Sequence, residues 1–302
     1  MRFPVTVYPS SAAYNIYLQS YKEWLARQSV SENTQRAYYS RIKHFLLFRE
    51  YANLSENPLN NLSATDETMA LYLNFLKHSK GQARSINANV NALNNFCQFL
   101  GLKAAQLKRE RCYYRALKVL SAKEQSDFML SVRRQELARD RALALVLFYT
   151  GLRIGDCARL NMTDFLIVDH SANDDNNTSE ENSIAYLCLD DRMPGFVTKI
   201  PLHSQATIAL KQWLKEREKF IAKTTEKALW LTKDGERLSI SGITFVLKRI
   251  GWQAHIDVSA EVLRRTWLSN ASNSGGRGEL ATRFGEYLSA ATVKRYGIML
   301  PV

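Results

Sequence analysis

The chain has 302 residues, which is enough for two domains of ordinary size, each with its own hydrophobic core. Lys and Arg number 41 against 29 Asp and Glu, so the net charge is +12, and this excess favours a polyanionic partner such as nucleic acid. No apolar run is long enough to span a bilayer, and the N-terminus lacks the apolar core of a signal peptide. These features argue against a membrane protein and predict a cytoplasmic location.

The cysteines and histidines show no spacing typical of metal ligands. The four cysteines are Cys97, Cys112, Cys157 and Cys188. Scattered in this way, they predict reduced and mostly buried thiols. We therefore expect no metal and no other cofactor.

The first 112 residues predict a bundle of four helices with short connections. Apolar residues recur at helical spacing in residues 16–25 and again in a helix that starts near Ser31. A capping box at residues 63–66 predicts the start of a third helix, and a fourth runs from residue 86 to Gly101. Up to residue 115 the chain has 15 basic and 7 acidic residues, against 26 and 22 in the remainder, so positive charge is concentrated here.

Two polar helix faces in this bundle are candidate DNA-binding surfaces. The fourth helix carries Arg84, Asn87 and Asn91 on one face. Asn can bind the edge of adenine with two hydrogen bonds, although a solvated helix face is an equally good interpretation. The second helix carries Thr34, Tyr38 and Arg41 on one face. These residues could contact phosphates, while the ring of Tyr38 could instead pack in the core.

Residues 102–119 are rich in Lys and Arg and have no capped periodic pattern. We interpret them as a strap between two domains that lies along DNA. A capping box at residues 121–124 then opens a helix, and the apolar run 143–148 predicts a buried helix that delivers Arg153 at its C-terminal end.

An acidic loop and a hairpin are predicted next. Residues 169–191 contain seven acidic residues and no Lys or Arg, which is typical of a disordered loop held away from DNA. Residues 184–189 and 196–202 predict two strands. Helices are expected at residues 204–220 and 240–250, so the chain is mainly α with a small β-sheet. The last of these helices carries Lys248 and Arg249 as candidate DNA contacts.

Two stretches carry the motifs that point to chemistry. Residues 150–156 read Thr-Gly-Leu-Arg-Ile-Gly-Asp and are followed by Leu160. Residues 261–268 read Glu-Val-Leu-Arg-Arg-Thr-Trp-Leu. The positions that follow them are Gly275, Phe284, Gly285, Glu286 and Tyr296. In this order the stretches resemble the active-site boxes of the tyrosine recombinases, which include phage integrases and Xer-type recombinases. Two positions depart from the family pattern, since Glu261 and Glu286 stand where His, Lys or Trp is usual.

The resemblance implies both an architecture and a function. It implies an N-terminal helical SAM-like core-binding domain at 1–112 and an α+β catalytic domain at 113–302, which together form a C-shaped DNA clamp. It also implies a site-specific recombinase that acts on double-stranded DNA as a homo-tetramer, with accessory DNA-bending proteins as possible partners. The alternative is a DNA-binding protein on the same fold whose cleavage activity has lapsed.

The resemblance also implies a role for individual residues. Tyr296 would attack the phosphate and form a 3′-phosphotyrosyl link, while Arg153 and Arg264 would bind the phosphate oxygens through two parallel hydrogen bonds. The general acid belongs in the hairpin, where Lys199 and Arg192 are the candidates; Arg192 is a poor proton donor, although it remains a candidate DNA contact.

Several alternatives remain open at these positions. Glu261 and Glu286 could act as bases, could orient Arg264 or the candidate DNA contact Arg265, or could mark a lapsed site. His255 could replace the missing His. Arg153 could simply pair with Asp156, Arg264 could be a surface cation, and Tyr296 could be one of 14 ordinary tyrosines.

Overall fold

The structure is a computed structural model that describes residues 12–54, 59, 62–79, 81–112, 118–169, 183–190, 197–221 and 226–273. The chain divides into two compact units, Met1–Arg115 and Ala116–Val302. The domain boundary expected after residue 112 lies close to this division. Among the described residues, no helix has both the length and the apolar character needed to cross a membrane.

The part of the first unit that the structure describes is a bundle of four helices. They are α1 (Ala12–Ala26), α2 (Glu32–Tyr51), α3 (Leu62–His78) and α4 (Ala83–Phe99). The four helices confirm the prediction, and Ser31 caps α2 because its hydroxyl accepts from the backbone N–H of Thr34. Helix α3 begins at Leu62, so Ser63 lies inside the helix, and the capping box expected at residues 63–66 was wrong.

Aromatic residues fill the core of this bundle. Tyr21, Phe45 and Phe96 are fully buried, and the rings of Tyr21 and Phe96 meet edge to face at 5.1 Å. On α1 the buried positions are Tyr14, Leu18, Tyr21 and Leu25. Ile16, which belongs to the apolar pattern of the sequence, is instead 67% exposed, because the buried stripe of α1 is offset from it.

In its described residues, the second unit combines six α-helices with a small sheet. The helices are α5 (Ala122–Arg133), α6 (Ala138–Thr150), α7 (Ile154–Arg159), α8 (Ser204–Ile221), α9 (Ile240–Gln253) and α10 (Ala260–Asn273). The predicted capping box is confirmed at Ser121 and Glu124. Helix α6 is buried along most of its length, as its apolar sequence predicts, and α8 and α10 pack against it. Helix α6 is therefore the scaffold for the motif that follows it.

The sheet is antiparallel in the order β1-β2-β3. The strands are β1 (Phe165–Asp169), β2 (Ser183–Asp190) and β3 (Val197–Pro201). The paired β2 and β3 confirm the predicted hairpin strands, with Lys199 directly opposite Cys188. Asp169 and Asp190 lie inside strands, so the acidic loop is shorter than predicted. Its central part lies outside the described residues.

Candidate active site

The motif at residues 150–156 forms the turn that joins α6 to α7. Thr150 is fully buried, and its hydroxyl donates to the carbonyl of Val146 at 2.6 Å and accepts from the N–H of Leu152 at 3.3 Å. Gly151 ends α6 in the left-handed conformation, with φ of 60°, which a residue with a side chain rarely adopts. Leu152 is fully buried and anchors the turn. The local structure therefore explains why the motif has Thr, Gly and Leu at these three positions.

Arg153 follows this turn as the N-cap residue of α7, and its side chain is 42% exposed. Its Nη1 lies 3.8 Å from Oδ2 of Asp156, which also binds Arg159 at 2.5 Å. The pairing with Asp156 that the sequence allowed is therefore present, but it is long and partly exposed, and pairs of that kind contribute about 0–1 kcal/mol. This ion pair alone therefore does little to fix the guanidinium in place.

Arg264 lies on α10 and is only 6% exposed. Its Nη1 donates a hydrogen bond to the carbonyl oxygen of Gly151, at 2.5 Å. That carbonyl is at the C-terminal end of α6, where unpaired carbonyls carry partial negative charge, so the position stabilises a buried cation. This bond joins two motifs that are 113 residues apart in the sequence.

The neighbouring carboxylate binds a different arginine. Oε1 of Glu261 accepts a hydrogen bond from Nε of Arg265 at 3.0 Å, and the two side chains are 59% and 19% exposed. Of the roles left open for Glu261, the geometry agrees with the orientation of Arg265. Glu261 is also in the first turn of α10, where the helix dipole favours negative charge.

Lys199 is exposed on β3, opposite the half-buried Cys188 of β2. Burial raises the pKa of the Cys188 thiol, and the positive charge of Lys199 acts in the opposite direction. The lysine is therefore available to solvent from the predicted hairpin, as a general acid requires.

Asn87 and Asn91 both bind the segment that follows α4. The side chain of Asn87 donates to the carbonyl of Glu110 at 2.9 Å and accepts from its N–H at 2.8 Å. Asn91 accepts from Arg109 at 2.7 Å. Both amides thus bind the segment that follows α4, the part-buried Asn87 at Glu110 and the exposed Asn91 at Arg109. Arg84 is exposed on the same helix.

The candidates on α2 are partly occupied by local bonds. The hydroxyl of Thr34 lies 2.8 Å from that of Ser31, and Nη1 of Arg41 donates to the carbonyl of Ala37 at 3.0 Å. Tyr38 is half-buried and packs against the aromatic core, in agreement with its alternative role. DNA contact at these residues stays a prediction.

Lys248 and Arg249 have different environments on α9. Lys248 is exposed, whereas Arg249 forms an ion pair with the fully buried Asp140 and donates to Gln135 at 3.2 Å. The face that carries Lys248 also carries Phe245 and Trp252, which are 67% and 78% exposed and were not predicted as surface residues. They are three residues before and four residues after Lys248, and this helical spacing would have placed them on the same face from the sequence alone.

Three predicted site residues lie outside the described residues. They are Tyr296, Glu286 and Arg192. His255 is exposed just after α9, in a left-handed conformation with φ of 55°, and it lines a groove with Arg134 and Trp252. Within the described ranges, no group of three or more His, Cys, Asp or Glu side chains is placed to hold a metal ion.

A helical bundle is followed by an α+β unit in which Arg264 binds the end of the helix that precedes Arg153, and this order of units agrees with the architecture that the resemblance implied. Family models match both units. Residues 118–298 match the phage integrase family, and residues 18–103 match the phage integrase N-terminal SAM-like domain. The chain therefore belongs to the phage integrase family, and it is a tyrosine recombinase, as its sequence predicted.

Individual relatives and solved structures agree with this assignment. The chain is 24% identical over 269 residues to the TnP I resolvase of Bacillus thuringiensis, covering 85% of this chain and 86% of the relative. It is 24% identical over 264 residues to the tyrosine recombinase XerA of Pyrococcus furiosus, covering 85% and 80%. The fold is similar to that of the XerH site-specific recombinase bound to difH substrate, with a TM-score of 0.64, 16% identity and coverage of 99% and 96%. It is also similar to a lambda integrase tetramer bound to a Holliday junction, with a TM-score of 0.64, 18% identity and coverage of 98% and 81%. The alternative of a protein without cleavage activity is not favoured.

Proposed function

We propose that this recombinase cuts and rejoins double-stranded DNA through Tyr296, with Arg153 and Arg264 as the residues that bind the scissile phosphate. The observation that carries the proposal is the hydrogen bond from Arg264 to Gly151, because it places α10 against the turn that ends at Arg153. Two guanidinium groups from separate motifs are thereby attached to one short stretch of backbone.

The chemistry follows from these groups. The phenolic oxygen of Tyr296 attacks phosphorus, the bond to the 5′-oxygen breaks, and Lys199 supplies the proton that this oxygen takes up. Negative charge grows on the non-bridging oxygens, where each arginine donor contributes roughly 3 kcal/mol of transition-state stabilisation. A 3′-phosphotyrosyl link conserves the energy of the broken bond, so religation by a 5′-hydroxyl requires no nucleotide. A phenol has an ordinary pKa near ~10, so before or during attack its proton passes to water or to a basic side chain, and nearby cations stabilise the phenolate that results.

Glu261 supports this chemistry through Arg265. A carboxylate that faced the phosphate directly would repel it, whereas Glu261 binds Arg265 on its own helix. We infer that Arg265 contacts DNA beside the scissile phosphate and that Glu261 limits its motion. Glu286 is the second departure from the family pattern, and in this proposal it too orients an arginine, either Arg264 or Arg265.

The partner is double-stranded DNA with a specific recombination site, and the active form is a homo-tetramer. The net charge of +12 supports a polyanionic partner. The similarity to the lambda integrase tetramer on a Holliday junction supports the assembly. We also propose that accessory DNA-bending proteins assist the reaction and that it takes place in the cytoplasm.

A covalent-trapping experiment tests the proposed nucleophile. Duplexes are first selected from a randomised library by binding to the Tyr296→Phe variant, and the selected site is then nicked near its centre so that a cleaved strand diffuses away. We expect a protein–DNA adduct that survives denaturant with wild type, none with Tyr296→Phe, and at least a hundredfold slower formation with Arg153→Gln or Arg264→Gln.

Binding by the same proteins is the control. The Tyr296→Phe variant should bind with wild-type affinity and with the same steep salt dependence, because the phenol contributes to chemistry rather than to charge. An adduct that persists in Tyr296→Phe would assign the nucleophile to another residue. A wild-type protein that binds but never forms an adduct would contradict the proposed cleavage.

A further inference from the structure

Gly151 is in contact with α10 at two points. Its carbonyl oxygen accepts the hydrogen bond from Arg264, and its Cα lies against the indole ring of Trp267. A Cβ built on Gly151 would be only 2.6 Å from Cε3 and 2.9 Å from Cδ2 of that ring. The ring therefore occupies the space in which every other amino acid would place a side chain.

Arg264 and Trp267 are three residues apart on α10, so their side chains are neighbours on one face of the helix. The helix is also tied to the start of the second unit. The backbone N–H of Leu120 donates to the buried hydroxyl of Thr266 at 3.0 Å, and that hydroxyl donates in turn to the carbonyl of Val262 at 2.9 Å. Trp267 is thus presented to Gly151 from a helix that is itself held in place.

The peptide that Trp267 covers is connected to both arginines of the site, to Arg264 by a hydrogen bond and to Arg153 along the chain. The orientation of the Gly151 carbonyl decides where the guanidinium of Arg264 can bind. Two residues later the chain reaches Arg153, whose carbonyl accepts from the N–H groups of Asp156 and Cys157 at 3.0 and 2.9 Å as α7 begins. With Leu152 buried between them, rotation of the Gly151 peptide would move both arginines together.

We propose that Trp267 is a positioning residue for the recombination reaction, which holds the Gly151 peptide so that Arg153 and Arg264 keep one fixed spacing across the scissile phosphate. This inference rests on the proposed function for its consequence, because a fixed spacing matters only where both arginines bind the same phosphate. Since the two guanidinium groups are attached to one peptide, a displacement of about 1 Å at that peptide can slow phosphoryl transfer by about a hundredfold while leaving the DNA-binding surface intact.

The first test separates cleavage from binding. The Trp267→Leu variant removes the ring, Trp267→Phe retains an aromatic ring, and Trp213→Leu makes the same substitution at a buried tryptophan of α8 that donates to the carbonyl of Leu229. We expect Trp267→Leu to slow single-turnover adduct formation by ten- to a hundredfold with the dissociation constant for DNA changed by less than about threefold, and Trp267→Phe to restore most of the rate. An unchanged rate in Trp267→Leu, or an equal loss in a Trp213→Leu protein that is still folded, would overturn the inference.

The second test needs no DNA and therefore separates failure of this inference from failure of the proposed function. In protein labelled with ¹⁵N-arginine, the side-chain N–H signals of Arg264 are assigned as those lost in Arg264→Lys. We expect them to exchange slowly with water in wild type and in Trp267→Phe, and at least about tenfold faster in Trp267→Leu. Unchanged exchange in Trp267→Leu would overturn the positioning role even if wild type forms no adduct. The absence of a Tyr296-dependent adduct with wild-type protein would instead count against the proposed function.

Discussion

The side chain of Asn87 forms two hydrogen bonds with the backbone of Glu110: it donates to the carbonyl at 2.9 Å and accepts from the N–H at 2.8 Å. Glu110 is further held by an ion pair with Lys77 at 2.8 Å. The basic segment that follows α4 is therefore attached to the helical bundle as far as Glu110. An asparagine that could read adenine is used here to satisfy a backbone peptide.

This attachment predicts the effect of Asn87→Ala. The substitution leaves two backbone groups without their partner, so the free energy of unfolding of the first unit should fall by about 1–3 kcal/mol. Proteolytic cleavage within residues 103–112 should become faster, and DNA affinity should change equally for all sequences. Asn91→Ala is the control, because it removes only one exposed bond to Arg109. A loss of affinity confined to one A·T pair in Asn87→Ala would instead support base recognition.

The adjacent cations of α9 should respond differently to substitution. Lys248→Ala removes an exposed charge, so stability should change by less than about 0.5 kcal/mol while the salt dependence of DNA binding loses roughly one phosphate contact. Arg249→Ala deprives the buried Asp140 of one partner. Because Arg139 still lies 2.7 Å from that carboxylate, the loss of stability should stay below the roughly 3–5 kcal/mol of a fully broken buried pair.

Thermal unfolding and salt-dependent binding of the two variants check this difference. If Arg249→Ala left stability unchanged and weakened DNA binding as Lys248→Ala does, both residues would be DNA contacts.

Two glycines of one motif should differ in their tolerance of alanine. At Gly151 the positive φ costs about 1–2 kcal/mol for a residue with a Cβ, and the contact with Trp267 adds overpacking of about 1–3 kcal/mol. At Gly155, in α7, an added Cβ meets nothing within 4 Å, so alanine should be neutral or stabilising by up to about 1 kcal/mol. Chemical denaturation of the two variants measures the difference. Equal stability of Gly151→Ala and wild type would show that the turn can rearrange around the ring.

The carboxylates that depart from the family pattern can be tested by substitution. Glu261→Gln keeps a hydrogen-bond acceptor for Arg265 and removes an exposed charge, so stability should change by less than about 1 kcal/mol and adduct formation by only a few-fold. Introducing Glu261→His together with Glu286→His should not raise the yield of adduct above wild type. The same nicked duplex serves for all variants. An adduct that forms only in the double His variant would show that the native site has lost cleavage.

The sequence alone was sufficient for features that arise within a few residues. The helices follow from apolar periodicity, and the capping box at Ser121 follows from the reach of a Glu side chain three residues on. The left-handed turn at Gly151 was not predicted, although it obeys a local rule, because glycine is the usual residue where a helix ends in this conformation. The ion pair between Glu261 and Arg265 also obeys a local rule, because residues four apart on a helix are neighbours.

Only the tertiary structure decided which of the polar side chains are exposed to solvent and which bind other parts of the protein. In the sequence, Asn87 and Arg249 cannot be told from exposed residues that contact DNA. In the structure, Asn87 binds Glu110 and Arg249 binds the buried Asp140. The contacts of Arg264 and Trp267 with Gly151 likewise span more than a hundred residues of sequence. Such partners depend on how the helices pack, because side-chain bonding is set by distance in space and leaves no periodic signal along the chain.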